Sequence, residues 1–352
     1  MRIGSPFLLI GSIATMISCG GGGGDGGGGS SAPTTSGGGG GTTSSGTATI
    51  AATGLRLVVL IGGTTRPVGD GVYLDSRLNT GEIFILPQAP LLTNRNYTIA
   101  VNATASSDTF SHTWTFTTSN ITMPTSQANE LAELNNYRTR SGILAVTEQV
   151  GYLTSATKHA GYQCETSTLT HGESDNSKRF FVSNSFSDRI TAGVAANGGT
   201  AWAGATTVSE DVASNGGLPA VSLLWNTVYH RLPMMRTTTS MVGIADRSDA
   251  FIHTLNVTPS QVITNTGNGY LTMNFGGNNS AAQVQSYWPH DNETNVHYVF
   301  DTNSESPDPL GANSGTDPNS APDFDSVGPP IHIILPTTQN FNGLTITLTL
   351  VP

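Results

Sequence analysis

Residues 153–173 read LTSATKHAGYQCETSTLTHGE, and the reading of this stretch decides the fold. Val150, Leu153, Ala156 and Ala160 recur at helical spacing, so the segment opens as an amphipathic helix with Thr147 as its expected N-cap. A polar turn carrying His171 and Glu173 follows it. Upstream, Leu131, Leu134 and Tyr137 mark a helix capped by Ser126; downstream, a third helix starts near Ser187 and carries Ile190. Pro219 suits the first turn of a fourth helix, with Val221, Leu224, Trp225 and Val228 on its apolar face. Short strands are expected at 241–245, 251–255 and 270–275. Helices followed by antiparallel strands predict an α+β domain over 122–282.

Both flanks have β character. Residues 48–118 hold the short apolar or alternating runs LRLVVL, EIFIL, YTIAV and WTFT, separated by turn residues such as Pro87, Pro90 and Asn94. This is the pattern of an immunoglobulin-like sandwich, but the segment is short for a complete one. Residues 283–352 add strand candidates at 297–300, 331–335 and 344–350. The C-terminal GLTITLTLVP resembles GLRLVVLIGG near residue 54, and the two flanking segments are expected to pack into one β-sandwich.

The first residues, MRIGSPFLLIGSIATMISC, place one cation ahead of an apolar core and end in a small residue and a thiol. This is the layout of an export signal over 1–19, too short to span a bilayer. Met16-Ile17-Ser18-Cys19 resembles a bacterial lipobox, which implies lipidation at Cys19 and membrane attachment at the bacterial cell envelope, facing the periplasm or the cell surface. Residues 20–47 are mostly Gly, Ser and Thr. A coil of that composition reaches roughly 30 Å, enough to hold a domain off a membrane.

Composition narrows the function. Only 11% of residues are charged and the net charge is −10, with Lys and Arg unclustered, so no nucleic-acid partner is expected. With Cys19 lipidated, Cys164 is left without a disulfide partner and reads as a small buried helix residue. H-E-x-x-H, G-x-S-x-G and phosphate-loop motifs are absent. Asp301-Thr302-Asn303-Ser304-Glu305 begins like a calcium loop but has Ser306 and Ala312 at the decisive positions, and reads as a solvated acidic loop.

In order along the chain stand LNNYRTRSGI, LTSATKHAGYQC, LTHGE, FSDRITAGV, VSEDVAS, LLWNTVYHRLPMM and MVGIADR. This succession resembles the CAP superfamily (the SCP-like extracellular domain), in its bacterial branch. The resemblance implies an α-β-α sandwich with a surface cleft faced by His171, Glu210 and His230. Val228 stands where the eukaryotic branch carries a second Glu. Two His and a Glu suit Zn²⁺ or another divalent metal. They equally suit acid–base catalysis centred on Glu210, or a hydrogen-bonded cluster that fixes the cleft walls. Glu173 is an outer candidate for the same cleft. His159 reads as an internally satisfied His, and Asp188 and Arg189 as a helix-start charge and a salt-bridge donor. The resemblance implies a binding module holding a small apolar ligand, a glycan or a protein partner, and the absence of a nucleophile motif favours this over an enzyme. The alternatives are a hydrolase of peptide, ester or cell-wall bonds and a structural surface adhesin.

Overall fold

A computed structural model describes residues 16–18, 48–52, 55–65, 67, 71–119, 130–214, 220–245, 270–278, 284–305, 308–310, 322 and 324–351. Cys19, the tether, Ser126, Pro219 and the strand expected at 251–255 lie outside these residues. The architecture is α+β.

The middle unit is built on a sheet of β1 (Met16–Ser18), β9 (Thr207–Ser214), β11 (Tyr270–Gly277), β10 (Thr239–Ala245) and β8 (Thr147–Glu148), in that spatial order. Its pairs are antiparallel except β8 with β10. On one face lie α2 (Val150–Thr166) and α3 (Phe186–Ala196); on the other lie α1 (Glu130–Arg140), α4 (Ala220–Trp225) and α5 (Arg231–Met235). Strand alternation sorts the side chains. Val242, Ile244, Leu271, Met273 and Phe275 pack with Leu134, Trp225 and Met234 on the α1–α4–α5 face. On the α2–α3 face, Gly243 and Gly276 have no room for a side chain: a Cβ would fall 2.1 Å from the Leu153 nitrogen or 2.3 Å from the Tyr152 hydroxyl. Helix α2 therefore sits directly on the strand backbones.

The N-cap of α2 is Gln149, whose side chain accepts from the Tyr152 N–H at 2.9 Å. The expected cap, Thr147, instead belongs to β8, because pairing with Met241 holds it extended. The fourth helix stops at Trp225, so Val228 leaves that face and joins a different core.

The two flanks make one sandwich. Its inner sheet runs β12 (Ser286–Trp288), β16 (Ile331–Ile334), β5 (Glu82–Pro87), β3 (Leu57–Ile61) and β4 (Val72–Leu74). Its outer sheet runs β13 (Glu293–His297), β7 (Asp108–Ser119), β6 (Asn96–Ala105), β17 (Phe341–Leu350) and β2 (Ala48–Ala52). Strand β16 pairs with β5, and β17 with β6, so each sheet joins strands from both ends of the chain. The first flank looked short for a sandwich because the second completes it. The similar β3 and β17 do not pair; they lie in different sheets and share the core between them. A two-stranded ribbon of β14 (Phe300–Asp301) and β15 (Ser326–Val327) completes the fold.

The inner sheet is buried on both faces. Leu57, Val59 and Ile61 point into the sandwich, whereas Val58 and Leu60 pack with Val228, Tyr229 and Leu232 of the middle unit. This is why LVVLI and IFILP are unbroken apolar runs instead of alternating ones. Among the described residues, no helix is long and apolar enough to cross a membrane.

Candidate functional site

On the α2–α3 face, β9 points Glu210 inward, 1% exposed, against α2 and α3. Arg189, on α3, donates from Nη2 to both Glu210 oxygens at 2.8 and 2.9 Å and to the His171 carbonyl at 2.7 Å. The Asn274 amide, with its nitrogen turned to Glu210, donates to Oε2 at 3.1 Å. His171 Nδ1 meets Oε1 at 3.2 Å. Burial by itself raises the Glu210 pKa, but His159, Arg189 and His171 outweigh it and hold the carboxyl at about 2.

A second carboxylate braces this one. Glu173 is fully buried, bonded to His159 Nδ1 at 3.0 Å and to the backbone N–H groups of Val182 and Ser183. The other nitrogen of His159 meets the Thr170 carbonyl at 2.7 Å. Both ring nitrogens are thus engaged within the fold, as expected of an internally satisfied His. Glu173 does not face a cleft; it fixes His159 and the 182–183 turn. Of this network, His171 reaches furthest towards solvent, its side chain 15% exposed.

His230 is not part of it. Glu210 and Asp211 are successive residues of β9 and so face opposite sides of the sheet. His230 precedes α5, in the layer beyond the far side, where it is fully buried. Its Nδ1 meets Glu305 at 2.9 Å, and Glu305 also accepts from the backbone N–H groups of Val228, Tyr229 and His230 at 2.6–3.0 Å. The expected convergence of His171, Glu210 and His230 is therefore not formed, because the central sheet separates them. Among the described residues, no group of three or more His, Cys, Asp or Glu is placed to hold a metal ion.

Glu305 corrects a second expectation. The residue looked like part of a solvated acidic loop, yet it is 2% exposed and collects the turn between α4 and α5. Nothing local in the sequence signals this, since its partners lie some 75 residues away. Asp211 is also fully buried; burial first, then the charges of Glu305 and Glu210, push its carboxyl well above the usual range, against Arg236. Arg138, from LNNYRTRSGI, is fully buried and donates to the carbonyls of Leu144 and Thr239 at 2.8 and 2.9 Å, tying α1 to β10. Burial lowers its pKa to about 10. Cys164 is buried beside Phe180 and Tyr162, and Trp225 lies in the core.

No family model matches the chain, and no curated protein matches it. Among solved structures, one at 1.5 Å of an extracellular protein containing a SCP domain from Bacillus anthracis str. Ames is similar over 42% of this chain and 39% of its own. The identity is 14% and the TM-score 0.30. The chain thus spans about two fifths of that protein's length. A likeness at this level carries no argument about family or function.

Proposed function

We propose that the chain is an exported, lipid-anchored binding protein of CAP type, in which His171 is the contact residue and Glu210 its orienting partner. The observation that carries this reading is the exposure gradient: Glu173, His159, Arg189 and Glu210 are 0–1% exposed, and the network ends at a side chain 15% exposed. A carboxylate on Nδ1 fixes the orientation of the ring and its tautomer, and the partly exposed side chain turns that oriented ring towards solvent. The ligand classes are those the resemblance implies: a small apolar molecule, a glycan or a protein partner. The anchor at Cys19 rests on the lipobox-like sequence. In the mature lipoprotein β1 leaves with the leader, and β9 becomes the edge of the central sheet.

Acid–base chemistry is the second reading, and the geometry moves it from Glu210 to His171. A carboxylate of pKa about 2 with Arg189 on both oxygens is a poor base, and acts better as the partner of an imidazole base. A divalent metal at this face would find His171 and Glu210 without His230.

The test follows the His171 ring by proton–carbon correlation spectroscopy in the full chain during separate titrations with sodium palmitate, chitohexaose and zinc chloride. A saturable shift of His171, with binding of the same probe by calorimetry lost in H171A, supports the reading. Turnover of an ester or peptidoglycan probe, lost in H171A, moves the conclusion to the enzyme. No response of His171 to any of these probes overturns it.

A further inference from the structure

The sandwich carries a second candidate site, independent of His171. Between β6 and β7 on one side and β12 and β16 on the other, a hollow of about 270 Å³, counting its open mouth, is walled by Phe110, His112, Trp114 and Tyr287 over Ile333. The aromatic rings form a cluster: His112 and Trp114 are stacked at 5.1 Å between centroids, and Tyr287 lies 4.4 Å from His112 and 4.8 Å from Trp114. Two nitrogens in these walls, Trp114 Nε1 and His112 Nε2, are buried without a hydrogen-bond partner among the described residues. The indole is 2% exposed, so its unpaired N–H needs an explanation that packing does not supply.

We propose that this edge of the sandwich binds a neutral carbohydrate through one hydroxyl and one sugar ring. Among the described residues, the lining holds no Asp, Glu, Lys or Arg, so a charged group would be desolvated there without a counter-charge. A wholly apolar ligand would leave both nitrogens unpaired. The enclosed part has room for about one water-sized group, which suits a hydroxyl and excludes a whole ring. The ring then lies at the mouth, where Phe110 and Tyr287 are half-buried and offer aromatic faces, and exposed Gln285 stands as a further hydrogen-bonding group.

The experiment titrates the full chain with cellohexaose, maltohexaose and chitohexaose by calorimetry. Trp114→Phe keeps the ring and removes the N–H; Tyr287→Leu removes one aromatic wall. The expected result is saturable binding of at least one oligosaccharide, weakened about tenfold or more by W114F and by Y287L. Thermal melting of both variants shows that they remain folded. Binding unaffected by either variant, or no saturable heat up to about 10 mM sugar, overturns the proposal and leaves the hollow to an ordered water. Because W114F and Y287L lie in the sandwich and the His171 reading is followed at the His171 ring, failure here is distinct from failure of that reading.

Discussion

Glu210 and Asp211 are neighbours on β9, yet the fold pushes the pKa of the first carboxyl down and that of the second up. Alternation sends Glu210 towards Arg189 and His171, and Asp211 towards the layer that holds Glu305. Burial penalises both charges; only Glu210 receives cations close enough to offset it.

The Glu210 carboxyl has an ordinary value of 4.5 and a folded value of about 2. A depressed carboxylate stabilises above its unfolded pKa, and that contribution fades as pH falls through the folded one. The window is therefore from about pH 4.5 down to 2, and the amount at stake is about 3 kcal/mol. Glu210→Gln removes the charge and leaves Arg189 buried without its partner, at a cost of about 3–5 kcal/mol at pH 7. Urea unfolding of both proteins across pH 2–7 checks this: the gap should narrow as the pH falls.

Asp211 has the opposite sign. Its folded pKa is raised, so folding is penalised above the unfolded pKa, and the penalty grows as pH rises towards the folded value. Asp211→Asn is expected to stabilise the chain at pH 7 by about 1–3 kcal/mol and to have no effect near pH 3. Paired denaturant curves at the two pH values measure this.

Glu305 receives three backbone N–H groups and an imidazole in a buried setting. Glu305→Ala leaves these donors without an acceptor and is expected to cost about 3–5 kcal/mol. Glu305→Gln keeps one acceptor oxygen and should cost less. Chemical denaturation of the two variants gives the order directly.

How much of this was legible in the sequence depended on the range of the interactions. Helical spacing located α2 and α3, and four of the ordered motifs, LTSATKHAGYQC, LTHGE, FSDRITAGV and VSEDVAS, hold the residues of the α2–α3 network, whereas the cleft expected from them included His230. The periodic residues also marked the flanks as β, although β16 and β17 show their partners only when β5 and β6 are in place. His230 misled because linear order does not say on which side of a sheet a residue falls. Arg189 was read as a salt-bridge donor, but its carboxylate could not be named from a stretch that ends at residue 194. Glu305 sat in a loop whose composition looks solvated, and only the tertiary fold brings it to the turn at 228–230.

The inner sheet's burial on both faces couples the two units. Leu60 is 2% exposed and faces Val228, Tyr229 and Leu232. Leu60→Ala is expected to cost about 2–5 kcal/mol and to lower the melting of sandwich and middle unit together. Calorimetry should show one transition moved downwards; two separated transitions would mean that the contact does not couple them.

The most direct measurement of the central claim, that the sheet divides a His171 contact site from a structural His230, is thermal unfolding of H171A and H230A with and without zinc chloride. The account predicts that H230A melts roughly 4–10 °C below the parent chain, from a loss of about 2–4 kcal/mol. H171A should remain within about 2 °C of the parent chain, and any zinc-induced rise should survive H230A. A zinc-induced rise in the parent chain that vanishes in both variants would contradict the account, because one ion would then be held from both sides of the sheet.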